Sequence, residues 1–181
     1  MKNNTFNVAL CGVISAVSVV VMMITVIIPV ATYTTPALAG IILIVLVIEI
    51  NCKWAFASYI AVSIISLLIV PDKEAVSLYI LFFGYYPMFK QFVESHIKTK
   101  IIQLSIKILI FSVAAVTTYF ISIHLLGIPA EEYHIMGINL PLVFLISGIV
   151  VFLLFDYAFT EIVTTYVDKF RDKIFKKLKI K

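Results

Sequence analysis

The chain has 181 residues, of which 62% are apolar and only 13% charged, with a formal net charge of +4. Ordinary soluble domains carry roughly 45–50% apolar and about 25% charged residues, so this composition cannot furnish a water-facing surface and excludes a soluble globular fold. The positive charge is not interleaved with aromatic residues as a nucleic-acid surface would be, which argues against nucleic acid as a partner.

Uncharged runs of about 20 residues recur along the chain, the length that crosses a bilayer as a helix. They are continuously apolar rather than alternating, which rules out a transmembrane β-barrel. Val8–Ile28 is the first expected span, and it is too long for the apolar core of about 7–15 residues in a cleaved signal peptide. On one of its faces Gly12 and Ala16 lie four residues apart, with Cys11 and Ser15 beside them. Such spacing of small residues lets another helix approach closely. Pro29 ends this span, and Tyr33–Ile50 follows, strictly apolar only from about Ala37 onward. Glu49-Ile50-Asn51-Cys52-Lys53 leaves hardly any loop before the third span, Trp54–Val70, where Ala57 and Ala61 repeat the small-residue spacing.

Pro71-Asp72 separates the third span from the fourth, Ala75–Val93. This one carries Phe83-Gly84-Tyr85-Tyr86-Pro87, where glycine and proline should bend the helix and free backbone groups. Interrupted spans of this kind point to binding sites in transporters. The fifth span, Ile101–Leu126, ends before Gly127 and Pro129, and the sixth is Leu140–Val163. Beyond it, Tyr166, Phe170, Ile174 and Leu178 recur every four residues, and Asp172 can pair with Lys176. The expected fold is therefore all-α: a polytopic bundle of six transmembrane helices over residues 1–163, then a basic amphipathic tail over 164–181. That tail suits an interfacial helix on anionic lipid or a docking surface for a cytoplasmic partner.

Charge sets the expected orientation. With the N-terminus in the cytoplasm, Lys2, Lys53, Lys90, Lys98, Lys100 and the seven basic residues from Lys169 to Lys181 fall inside, 12 of the 14 in the chain. Lys73 alone falls outside, and Lys107 lies within span five. Both termini are thus expected in the cytoplasm of a cell-membrane protein. Cys11 and Cys52 then lie near the reducing face and read as structural thiols.

Two charges inside spans demand a reason, because hydrocarbon penalises them. Lys107 and Asp156 lie at matching depths from the same face, so an intramembrane ion pair between them is expected, either as a clasp or as part of a coupling device. A second set is aromatic and hydroxyl-bearing: Tyr33, Thr34, Tyr79, Tyr85, Tyr86, Tyr119, His124 and Asn139. It suits a small, neutral or weakly polar ring compound in an apolar pocket, or an interfacial aromatic belt. Neither the histidines nor the cysteines fall at metal-ligand spacing, so no metal and no cofactor are expected. No hydrolase or protease motif occurs, and a non-catalytic protein is the reading that follows.

The layout resembles the substrate-binding S components of energy-coupling-factor (ECF) vitamin and micronutrient transporters. Ala9-Leu10-Cys11-Gly12-Val13-Ile14-Ser15-Ala16 is similar to the small-residue face that such proteins present to their coupling subunit. Asn51-Cys52-Lys53-Trp54-Ala55 looks like their tight Gly-Pro-Lys-Trp-Gly turn, and Pro29–Pro36 lies where they carry a ligand-covering loop. The N-terminal His of the nickel and cobalt members is absent, which turns the expectation away from those metals. The resemblance implies a vitamin-like small-molecule substrate, membrane lipids as surroundings, and a transmembrane coupling subunit with ABC ATPases as partners, Gly12 and Ala16 forming the interface. The alternative is a non-transporting membrane scaffold or envelope morphogenesis protein that recruits cytoplasmic partners.

Overall fold

A computed structural model describes residues 4–124, 134–135 and 138–170. Helix α1, Asn4–Met23, gives way to a 3-10 turn at Ile24–Val26, earlier than Ile28, and Thr25 Oγ1 donates to the Met22 carbonyl at 3.0 Å. A second 3-10 turn, Pro29–Thr32, leads into α2, Thr34–Glu49, which accommodates Pro36 because the first turn of a helix needs no donor there.

The tight reversal into α3, Cys52–Ile69, has a local cause. Asn51 stands at the N-cap, and its Oδ1 accepts from the Trp54 amide at 3.1 Å. At the far end of α3, Lys73 Nζ donates to the carbonyls of Leu67 and Val70 at 2.7 and 2.8 Å, satisfying acceptors the helix leaves open. Asp72 then caps α4, Lys73–Leu78, through the Ala75 amide at 3.0 Å.

The fourth pass is interrupted where Gly84 and Pro87 foretell it. Residues Tyr79–Phe83 form a π-helical turn, closed by the Gly84 amide on the Tyr79 carbonyl at 2.8 Å. The chain restarts as α5, Tyr86–His96, with Pro87 in its first turn. Helix α6 spans Lys100–His124 and α7 spans Leu140–Thr165, ending in a π-helical turn at Tyr166–Phe170. Between α6 and α7 a short antiparallel pair sets β1, His134–Ile135, against β2, Ile138–Asn139, with His134 opposite Asn139. Residues 125–133 and 171–181 lie outside the described residues, and with them Glu131, Glu132, Tyr133 and most of the expected amphipathic tail.

The described residues are thus helical, apart from that pair and the short turns between helices. Four of the helical segments are long and apolar enough to cross a membrane: Asn4–Val26, Cys52–Ile69, Lys100–His124 and Leu145–Lys169. The two other expected spans differ for physical reasons. Helix α2, at 16 residues, rises only about 24 Å, short of a hydrocarbon core of about 30 Å. The fourth pass is broken by its π turn.

Helix α2 lies at the centre, with Leu43 and Leu46 fully buried, and packs against α1, α3, the π turn and α5. The core continues through Met22, Val62, Tyr79, Tyr86, Phe152 and Phe159. Large apolar side chains on the outside, such as Leu68, Leu109, Val151 and Leu154, face away from this core. A soluble protein rarely leaves so much apolar surface exposed, whereas lipid solvates it.

Candidate functional site

The site grows from two helical repeats of four. On α5, Tyr86, Lys90 and Glu94 stack along one face; on α7, Asp156 and Thr160 do the same. Lys107 of α6 completes the group. The Asp156 carboxylate accepts from the Tyr86 hydroxyl, from Lys90 Nζ through a short contact, and from Lys107 Nζ at 3.1 Å. Glu94 bridges the same two lysines, at 3.0 Å to Lys90 and 2.6 Å to Lys107. Lys90 also donates to Thr160 Oγ1 at 2.9 Å, and that hydroxyl in turn donates to the Asp156 carbonyl at 2.9 Å.

Two cations and two anions therefore compensate one another across three helices. Their environments differ. The Lys90 and Lys107 side chains are 5% and 4% exposed and Asp156 is 14% exposed, whereas Glu94 is 39% exposed. In so dry a setting each lysine is tolerable only because it has a carboxylate on it.

Aromatic rings wall off the rest. The Tyr86 ring lies 5.0 Å from Phe82, 5.7 Å from both Phe152 and Phe155, and 5.8 Å from Phe159. Phe111 stacks on Phe152 at 4.8 Å, and Lys90 Nζ sits 5.7 Å from the centre of the Phe159 ring. On the open side, Glu94, Lys100, Gln103, Leu104, Lys107, Asp156 and Thr160 line a cleft of about 480 Å³. The assembly can hold fixed charge and bind a polar group at its mouth. Among the described residues no three His, Cys, Asp or Glu side chains converge on a metal position.

Of the residues singled out from sequence, the structure brings Lys107 and Asp156 together and adds Tyr86 to them. Tyr79 is fully buried, with its ring 6.1 Å from Tyr59, and Tyr85 meets Tyr59 edge-on at 6.2 Å. These two therefore share one aromatic neighbourhood around the π turn. The other expected ligand residues lie at the start of α2, on α6 and in the β pair. The Tyr33 hydroxyl donates to Glu74 at 3.0 Å, and Thr34 Oγ1 to the Ala31 carbonyl at 3.2 Å. Tyr119 and His124 lie along α6 with their rings 5.8 and 6.1 Å from Phe120, and Asn139 belongs to the β pair. Gly12 and Ala16 are exposed on the side of α1 away from its buried Ser15, Ser18 and Met22, and a Cβ on Gly12 would meet nothing within 4 Å.

Lys90 and Glu94 were the partners that sequence reading missed. Lys90 counts naturally among the cationic flanks at the end of span four, yet it is drawn into the core. The four-residue spacing from Tyr86 through Lys90 to Glu94, continued by Asp156 and Thr160, was the available signal.

Fold and cluster together define a helical protein built for a bilayer, with a compensated set of four charges where three helices meet. No protein-family model, curated protein or solved structure matches the chain.

Proposed function

We propose that this protein is the membrane-embedded substrate-binding subunit of an ECF-type importer for a small vitamin-like compound, arranged as six spans with both termini in the cytoplasm. The observation that carries the reading is the face of α1. Its small residues Gly12 and Ala16 are left uncovered, while the same helix uses its other side to pack on α2 and α3. A small-residue stripe exposed to lipid is a surface on which a second membrane protein can seat closely. The coupling subunit would bind there and carry the ATPases.

The connection between α1 and α2 supports the same reading. Thr32 Oγ1 donates to Asp72 at 2.8 Å, and Tyr33 to Glu74, so this connection is latched onto the start of α4. This end is opposite the one where Asn51 and Lys100 begin α3 and α6. It is where a ligand-covering segment would close.

Gly12→Leu with Ala16→Leu should abolish copurification of a membrane coupling subunit and its ATPases from the native host, with thermal stability unchanged because the added side chains enter open space. Retained association would remove the proposed interface. Native mass spectrometry of the gently extracted protein should show a bound small metabolite. A reproducibly empty protein that draws down no ATPase would favour the scaffold reading instead.

A further inference from the structure

The importer reading makes no use of the cleft beside the charge cluster, and the charges there do not balance. Asp156 is fully engaged by Tyr86, Lys90 and Lys107, and Glu94 is held between the same two lysines. The hydrogens of Lys107 Nζ are spent on Glu94 and both Asp156 oxygens. The Gln103 amide nitrogen gives one of its two hydrogens to the Ile97 carbonyl, and the Thr160 hydroxyl is spent on the Asp156 carbonyl.

What remains is Lys100, which lines the cleft, and Lys98 two residues before it. Both are exposed, and neither has an ion-pair partner among the described residues. Lys100 on the cleft wall, with Lys98 two residues ahead of α6, therefore adds positive charge around the start of that helix. Directly beside Lys100 the surface is greasy: Ile101 is 77% exposed, while Leu104 forms part of the cleft wall. A soluble anion would find no use for those side chains. An anionic phospholipid would use both, its phosphate at Lys100 and its acyl chains along Ile101 and Leu104. Basic pockets between helices at a bilayer boundary bind headgroups in this way.

We infer that the cleft between α5, α6 and α7 is a site for the headgroup of an anionic phospholipid, held by Lys100 and Lys98 over the compensated cluster of four charges. It uses residues other than those of the basic tail, and it does not depend on the importer reading.

The test compares the full-length protein with Lys98→Gln/Lys100→Gln in phosphatidylglycerol and in phosphatidylcholine. Native mass spectrometry should find phosphatidylglycerol retained on the wild type, and the double variant should retain it about thirtyfold more weakly, the loss expected for two lysines near a lipid surface. Thermal midpoints in phosphatidylcholine should match, because neither lysine is part of the packed core, so a lower midpoint there would place them in the fold instead. Equal retention by both proteins would overturn the site. Protection of the wild type by inorganic phosphate to the same degree as by phosphatidylglycerol would overturn the lipid as occupant.

Discussion

Asp156→Asn is expected to destabilise the protein by about 3–5 kcal/mol, the loss typical of a buried pair broken from one side. Asparagine keeps the volume and can still meet Tyr86, but it removes the anion on which Lys90 and Lys107 both converge. Glu94 alone would then face two buried cations from a half-exposed position. Lys107→Met should be milder, because Lys90 still neutralises part of the cluster and Glu94, already 39% exposed, can turn to water. Combining Lys107→Met with Asp156→Leu leaves the balanced pair Lys90–Glu94. That double variant should therefore lose much less than the sum of its parts. Denaturation of the purified protein in a mild detergent, titrated with a denaturing one, reads the four corners of this cycle: wild type, Lys107→Met, Asp156→Leu and the double variant. Strictly additive losses would mean that Lys107 and Asp156 do not share an interaction.

The order of these effects follows from the hub-like position of Asp156, which a simple pair would not have. As an isolated Lys107–Asp156 clasp, loss of either member would leave one unpaired charge and similar damage. With four charges across α5, α6 and α7, loss of the shared anion is worse than loss of either cation. The same arrangement explains how so apolar a chain tolerates lysines this deep: no charge in the cluster depends on a single partner.

Much of this was legible in the sequence, and the parts that were not share a cause. Continuous apolar runs gave the helices, because a backbone in lipid has to satisfy its own hydrogen bonds. Gly84 and Pro87 located the break in the fourth pass, and Asn51 lay where the tight turn needed a cap. Lys107 and Asp156 stood out because they interrupt apolar runs. Lys90 did not, since it lies near a polar helix end, and helix ends carry lysines for many reasons. Only the packing of α5 against α7 distinguishes a lysine that reaches water from one that turns inward. Within the expected ligand set, Tyr79 and Tyr85 gather at Tyr59, while Tyr33 stands at the start of α2 and Tyr119 and His124 lie on α6. Matching depth along helices specifies one coordinate of a site, while the rotation of each helix supplies the others.

Rotation is fixed most tightly where α2 meets the π turn, and there Gly40→Ala should destabilise by about 1–3 kcal/mol or somewhat more. A Cβ on residue 40 would collide with the Phe83 carbonyl oxygen, and it would lie 2.9 Å from the carbonyl carbon and 3.3 Å from the Phe83 Cβ. The obstacle is backbone, so no side-chain rotation relieves it. Four residues on from that carbonyl stands Pro87, which has no N–H to offer it. The oxygen lies against α2 at its one residue without a side chain. Gly84→Ala should be milder, because its Cβ would meet side chains rather than backbone, the rings of Tyr59 and Tyr79 at 2.5 Å and 2.9 Å. Gly12→Ala should change stability by less than about 1 kcal/mol, since open space surrounds it. Thermal midpoints of the three variants in one detergent give the ranking. A harmless Gly40→Ala would mean that α2 and the π turn do not touch as described. The turn also leads directly into Tyr86, so displacing it should loosen the hydroxyl from Asp156 and with it the packing of α5 on α7. Gly40→Ala should therefore reduce the penalty of Asp156→Asn when the two are combined, whereas Gly12→Ala should leave it unchanged.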